Sequence, residues 1–383
     1  MIKINFDKEC YGCGVCAEVC PKKCIYFKED EKGFLKACID ESQCINCGLC
    51  DKKCIAAYKN KHNTIHSVKA MYGYNLDEEK RKGGSSGGVF LEVALACLQK
   101  GYLISGCVWG ENWNPTHVLT DSLETVEKMQ RSKYAQSDLS GVLKPIKDAL
   151  SEGKKIMFSG TPCQIAAVKS FVGDNDNILY VGVLCHGVAS RKIWRMYLDS
   201  LSSQYGRIRQ VRMREAMDSW TKLSLFVEFE DGKQLILSRP ENGQFMQGFL
   251  ERLYVSERCM SCQYKGDSIS ADIILGDGWG QNPVAKSLEN GKGHSCILVK
   301  SEKGEELWNE VNSKFCTKDT TAEVIAQGNP RLVSPSVPNP RSKRFYNEVE
   351  KIKYVDAALL NKYMYINTPI AKIKKMIRKV IKR

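Results

Sequence analysis

The stretches CYGCGVCAEVCP, Cys10–Pro21, and CINCGLCDKKCI, Cys44–Ile55, decide the fold of residues 1–60. Each spells C-x2-C-x2-C-x3-C. The second follows the first by 34 residues, with Ile55 where Pro21 stands in the first copy. Such a repeat implies two similar halves packed about a pseudo-twofold axis. Three cysteines spaced two apart wrap one face of a cubane, and the fourth, out of reach, ligates the other cluster. The spacing therefore assigns Cys10, Cys13, Cys16 and Cys54 to one [4Fe–4S] cluster and Cys44, Cys47, Cys50 and Cys20 to its partner. Gly12, Gly14 and Gly48 allow turns tight enough to bring backbone N–H groups towards sulfur. A pair of zinc sites or a disulfide knot is the plainer alternative, and two matched copies of four cysteines speak against it. Cys24 and Cys38 fit neither copy and read as small hydrophobes.

Outside this region, the length of 383 residues suggests two or three domains, and 43% hydrophobic content supports globular cores. Ten of the eighteen cysteines fall within the first 54 residues. With no apolar signal segment at the N-terminus, this pattern points to metal sites in a reducing cytoplasm. The longest apolar run, Gly88–Leu98, is interrupted by Glu92 and too short to span a membrane. The formal charge of +13 is concentrated at one end. Residues 371–383 carry seven basic side chains and no acidic one, leaving +6 for the rest.

Ser67–Tyr74 reads as a strand, and Lys82–Gly88 (KGGSSGG) opens an apolar helix over Val89–Gln99. Free backbone N–H groups at a helix start suit the phosphate of a flavin or nucleotide, although the same residues also serve as a plain cap. From Ile156, strands alternate with loops and helices. Ile156–Phe158 runs into SGTPCQ and a helix to Phe171, Ile178–Leu184 into CHG and a helix over Ser190–Tyr205, and Ile269–Leu275 into GDGWG. The pattern predicts an α/β body with ligands at strand ends. Ile208–Met213, Thr221–Glu230 and Lys233–Ser238 read as an antiparallel insertion turning at Asp231-Gly232. Cys163, Cys185 and the C-x2-C pair Cys259/Cys262 lie on three separate loops, enough soft ligands for a third cubane if the loops meet. Buried packing residues or a zinc pair explain the same spacing. Cys97, Cys107, Cys296 and Cys316 sit in apolar stretches and read as core.

In this order GGSSGGVF, SKYAQS (Ser132–Ser137), SGTPCQIA, LCHGVAS and ADIILGDGWG resemble the family of beta subunits of coenzyme F420 hydrogenases and dehydrogenases, over about Ser67–Pro340. With the ferredoxin module in front, the chain is similar to F420H2-oxidising subunits of archaeal respiratory and sulfite-reducing systems. The resemblance implies a noncovalent FAD and a [4Fe–4S] cluster on Cys163, Cys185, Cys259 and Cys262. It also implies flavin contacts at Ser85, Ser86, Gly87, Gly88, Lys133, Tyr134, Asp277 and Trp279. Bacterial members of the family are linked with surface-polysaccharide loci, so F420 itself does not carry over with the likeness.

The expected fold is α+β / α/β: a two-cluster ferredoxin (1–60), the two parts of a mixed α/β flavoprotein body (67–155 and 156–340), and a helical tail (341–383). The expected activity is that of an oxidoreductase passing electrons between clusters and FAD, with hydride exchange to F420 or another two-electron carrier. The alternative is a non-catalytic electron-transfer subunit serving a partner enzyme, in surface-polysaccharide biosynthesis for example. No triad or carboxylate pair argues for hydrolysis, and His186, beside Cys185, reads as loop support, with protonation of a flavin or substrate as the alternative. Residues 369–383 place Ile370, Ile373, Ile377, Val380 and Ile381 at helical spacing, with basic residues opposite. Such a helix suits an anionic membrane surface or an acidic partner such as a ferredoxin, so the expected location is cytoplasmic, with peripheral contact at the inner membrane as the variant. Nothing in the charge pattern suggests nucleic acid.

Overall fold

The computed structural model describes residues 4–57, 64–215 and 219–365. In the N-terminal module β1 (Ile25–Glu29) and β2 (Leu35–Ile39) form an antiparallel pair. Each cysteine motif closes on a short helix, Val15–Glu18 or Leu49–Lys52. The internal repeat is visible in the backbone. Gly14 and Gly48 precede their helices in the left-handed region, at φ 86° and 75°. Gly12 and Asn46, also 34 residues apart, both have positive φ, at 69° and 55°. Asn is the residue that follows Gly in tolerating this conformation, so the turn survives the exchange.

The two halves of the repeat meet different surroundings. A Cβ on Gly12 would lie 2.4 Å from the Leu35 carbonyl oxygen and 2.6 Å from Gln136 Nε2, whereas at Gly48 it would meet nothing within 4 Å. The first half faces the body of the protein. Val15, joined by Ile55 from the end of the second copy, shares one apolar core with body residues such as Leu143 and Ile165. Gln136 accepts from the Leu35 N–H (2.7 Å) and donates to the Tyr11 carbonyl (3.3 Å). Glu29 pairs with Arg191 (3.0 Å) and Arg195 (2.5 Å).

The body contains β3 (Lys69–Asn75), β4 (Leu103–Trp109), β5 (Pro115–Thr120), β6 (Ile156–Gly160), β7 (Ile178–Val183), β8 (Ile208–Glu215), β9 (Ser224–Phe229), β10 (Gln234–Leu237), β11 (Ile273–Asp277), β12 (Ser295–Val299) and β13 (Phe315–Asp319). Eight of these strands form one sheet in the order β13-β3-β12-β11-β7-β6-β4-β5. The middle four, β11, β7, β6 and β4, run parallel, and antiparallel strands complete both edges. Every residue of β6 and β12 is buried, as expected of strands covered on both faces.

Side-chain alternation divides the two layers. Ile156 and Phe158 pack with Ile165 and Val168 of the helix Pro162–Val172, while Met157 packs with Val93 of the helix Val89–Gln99. A third core joins the helix Arg191–Tyr205, the antiparallel sheet β10-β9-β8, and the helices Gln244–Leu250, Ser342–Val349 and Ala357–Tyr363.

The fold is the expected mixed α/β body behind a ferredoxin-type module. The helix over 89–99 falls where the sequence placed it. The strand expected over 269–275 is displaced and runs 273–277. Gly266–Ser268 forms a 3-10 turn, and the Asp272 carboxylate accepts from the Tyr180 N–H (2.7 Å) and the Ser301 hydroxyl (2.6 Å), which fixes the strand start. Among the described residues no helix is long and apolar enough to cross a membrane. The basic amphipathic segment 369–383 lies outside the described residues.

Candidate cluster and cofactor cavities

Cys20, Cys44, Cys47 and Cys50 line one cavity of the N-terminal module, together with Ile45 and Leu49. Cys47 is exposed, as are Ile45 and Leu49. Cys24, read above as a plain hydrophobe, lines the same cavity, with its Sγ 3.4 Å from that of Cys20. On the body side, burial pushes up the thiols of Cys13, Cys16 and Cys54. For Cys16 the next causes are Cys10 and Cys54, so these side chains stand within electrostatic reach of one another. The Gly12 N–H donates to Cys10 Sγ at 3.3 Å.

In the body, loops leaving neighbouring parallel strands meet at their carboxyl ends. Cys163 follows β6 in the first turn of a helix whose start is closed by a capping box between Thr161 and Gln164. Cys185 follows β7. The turn carrying Cys259 and Cys262 is pinned beside it by the Ala189–Val255 bridge and by the Ser256 N–H donating to the Val188 carbonyl (3.0 Å). All four cysteines line one cavity of about 740 Å³, open mouth included, together with Tyr11, Gly12 and Cys13 of the N-terminal module. Burial pushes the Cys163 thiol up to about 12, with Cys262 and Cys185 adding to it. Burial also raises Cys259, followed by Cys185, Cys262 and Cys163. The Gly187 N–H donates to Cys185 Sγ at 3.3 Å, as Gly12 does to Cys10. Among the described residues no group of three or more His, Cys, Asp or Glu side chains is arranged to hold a single metal ion. The cysteines ring cavities instead.

A larger cavity of about 1380 Å³, open mouth included, adjoins this one. Ser137, Thr161, Gln164 and the loop Cys185–Val188 line both. Ser85, Ser86, Gly88, Lys133, Tyr134, Asp277 and Trp279 all lie on the wall of the larger one. Gly87 is not among the lining residues: its N–H donates to Ser295 Oγ (2.9 Å), and a Cβ there would sit 2.5 Å from the Gly73 carbonyl oxygen. Gly88, at φ 73°, caps the helix Val89–Gln99, whose positive end opens at this wall.

Lys133 donates to the carbonyls of Met129 (3.4 Å), Gln130 (3.0 Å) and Arg131 (3.3 Å), and burial lowers its ammonium to about 8. Asp277 is held by both terminal nitrogens of Arg214, at 2.7 and 3.1 Å, and the same guanidinium donates to the Ser85 carbonyl (2.8 Å) and to Tyr134 Oη (3.3 Å). Trp279 stacks on Trp220 at 4.3 Å and 12°.

Sequence reasoning missed Tyr11, Gln136, His117, Arg214, Arg258 and Lys265. Burial lowers His117 to about 4, so its ring is neutral. Nε2 lies 3.2 Å from the Ser159 carbonyl and therefore carries the proton, leaving Nδ1 a buried acceptor with no partner among the described residues. The available signals were the positions of Tyr11 inside the first cysteine motif, Gln136 inside SKYAQS and Arg258 directly before the C-x2-C pair.

Two models of the coenzyme F420 hydrogenase/dehydrogenase beta subunit match, that of its C-terminal part over residues 153–323 and that of its N-terminal part over residues 70–144. The chain belongs to this family. A 4Fe-4S dicluster domain model matches residues 9–57, so the N-terminal module is an iron–sulfur domain and the protein an iron–sulfur member of an oxidoreductase family. The coenzyme F420-dependent sulfite reductase of Methanocaldococcus jannaschii is 26% identical over 89% of this chain and 50% of its own length. One of the subunits of the F420H2 dehydrogenase of Methanosarcina mazei is 23% identical over 80% of this chain and 83% of its own. The chain thus spans about half the length of the sulfite reductase. A chain of the F420-reducing [NiFe] hydrogenase complex from Methanosarcina barkeri aligns over 74% of this chain and 99% of its own, at 18% identity and a TM-score of 0.48, a likeness too slight to carry weight.

Proposed function

We propose that the protein is an iron–sulfur flavoprotein oxidoreductase that moves electrons between three [4Fe–4S] clusters and FAD, with hydride exchange to a two-electron carrier such as F420. The observation that carries this reading is the order of the cavities. The four-cysteine cavity is lined by Tyr11, Gly12 and Cys13 of the N-terminal module and shares Ser137, Thr161, Gln164 and Cys185–Val188 with the large cavity, so it stands between the module and that cavity.

The residues present suit each group. Cys163, Cys185, Cys259 and Cys262 supply the four thiolates a cubane takes, and the raised thiols of Cys163, Cys185 and Cys259 mean that protons leave as it binds. The helix start at Gly88, Ser85 and Ser86 offer backbone N–H and hydroxyl groups to a pyrophosphate. When bound, FAD supplies chemistry that accepts either one electron or a hydride. Arg214 holds Asp277 and Tyr134 in place along the wall, and His117 presents an acceptor kept dry by burial.

Anaerobic purification followed by counting iron, zinc and flavin tests the reading. About 12 iron atoms and one flavin per chain, without zinc, are expected. About 8 iron atoms, one zinc and no flavin would reduce the body to a docking scaffold. A second reading, an electron-transfer subunit with no substrate of its own, is favoured by the exposed Cys47 flanked by exposed Ile45 and Leu49, a face suited to a protein partner. Flavin reduction by F420H2, nicotinamides or quinols in the isolated protein favours the enzyme. Flavin that is reduced only when a partner protein is added favours the subunit.

A further inference from the structure

The wall of the four-cysteine cavity carries two cationic side chains, Arg258 and Lys265, and no carboxylate. Lys265 is satisfied by the carbonyls of Cys185 and Arg331, each at 2.7 Å. Arg258 is not. It is 5% exposed, Nη1 donates to Ser261 Oγ at 3.3 Å, and Nε and Nη2 are buried with no partner among the described residues. Its guanidinium lies over the ring of Tyr11, 4.3 Å from the centroid. Tyr11 comes from the cysteine loop of the N-terminal module and also meets Tyr264 edge-on at 5.4 Å. A buried charge without a counter-charge costs several kcal/mol and persists where an anion offsets it. A cubane held by four thiolates is such an anion, and reduction adds one more negative charge. Reduction potentials of these clusters follow net charge, hydrogen bonds to sulfur and exposure.

We propose that Arg258 is the charge-compensating positioning residue of the body cluster, raising that cluster's reduction potential, and that Tyr11 holds the guanidinium in place. The inference rests on the third cluster proposed above. It also makes the body cluster's potential depend on the docked N-terminal module, since the aromatic face under Arg258 belongs to that module.

The test is an EPR-monitored redox titration of the full-length, anaerobically purified protein, with iron counted in parallel. Arg258→Met is expected to keep about 12 iron atoms and to move one of three cubane midpoints to more negative potential, the other two staying put. Arg258→Lys is expected to recover most of that shift, and Tyr11→Leu to produce a smaller shift of the same sign. Full iron with three unmoved midpoints in Arg258→Met would overturn the inference. If Arg258→Met loses about four iron atoms, the lysine variant decides: retained iron and potential support the role of charge, and equal loss assigns the residue a purely steric role. About 8 iron atoms in the unmodified protein would instead sink the third cluster itself, a failure separate from that of Arg258.

Discussion

The N-terminal module and the body surround sulfur with cavity walls by opposite routes. In the module, eight of the ten cysteines within residues 10–54 belong to the repeat, and local turns at Gly12, Gly14, Asn46 and Gly48 aim them. In the body, four cysteines spread over residues 163–262 meet only because β6 and β7 are adjacent and parallel and a bridge at Ala189–Val255 pins the third loop beside them. The module's outer cavity reaches solvent at Cys47, whereas the body's encloses a guanidinium. The comparison teaches that a short motif can specify ligands, but the charge around them comes from the tertiary fold.

The largest expected effect separates the two routes. Replacing Cys259 and Cys262 together by serine should remove about four of about 12 iron atoms and leave the module's EPR signals. Loss of all iron would break the comparison, because the module's clusters would then depend on the body's. The next effect compares the two halves of the repeat. Gly12→Ala forces a side chain into Leu35 and Gln136 at positive φ and should cost about 3 kcal/mol. Gly48→Ala adds only backbone strain in open space, about 1 kcal/mol. Urea midpoints of the two variants measure the difference, and equal costs would mean that neither Leu35 nor Gln136 presses on the first half.

The third effect uses a difference in composition. Described residues 4–57 contain no histidine, and all six tryptophans lie in the body, so indole fluorescence reports the body. His117 has a folded value near 4, below its ordinary 6.5. The unfolded chain therefore takes up the proton first, and the stability this neutral ring contributes is complete above pH 6.5 and lost as pH falls towards 4. The full loss from this ring is about 3 kcal/mol, and His117→Gln should reduce that slope without abolishing it, because burial also lowers His186 to about 4. A variant that keeps the slope would assign it to another group. The smallest effect concerns Cys24. Cys24→Ala should leave iron unchanged and cost about 1 kcal/mol, whereas loss of iron would make Cys24 a ligand despite its place outside the repeat.

What was legible in the sequence follows the same division. The cysteine repeat, the helix over Val89–Gln99 and the alternation around β6 and β7 are local patterns, and the structure carries each. The meeting of Cys163, Cys185, Cys259 and Cys262 in one cavity required the sheet order, which no local spacing encodes. Arg214 and His117 were illegible, and Arg258 legible only as a neighbour of the C-x2-C pair, for a related reason. As letters they are ordinary surface residues, and their chemistry arises from burial beside groups contributed by remote segments. Gln136 lay in plain view inside SKYAQS, yet its task of joining Leu35 to Tyr11 shows only once the module is docked.

The docking face also sets an order of events during biosynthesis. The module leaves the ribosome complete at about residue 60, but Gln136 and Arg191, which latch onto it, follow some 75 and 130 residues later. At roughly 5–20 residues per second, Val15, Ile55 and Glu29 wait uncovered for several seconds to about half a minute. During that interval the nascent chain presents open cysteine loops and an exposed apolar face together, a window in which iron–sulfur delivery can reach the inner cysteines before the body closes over them.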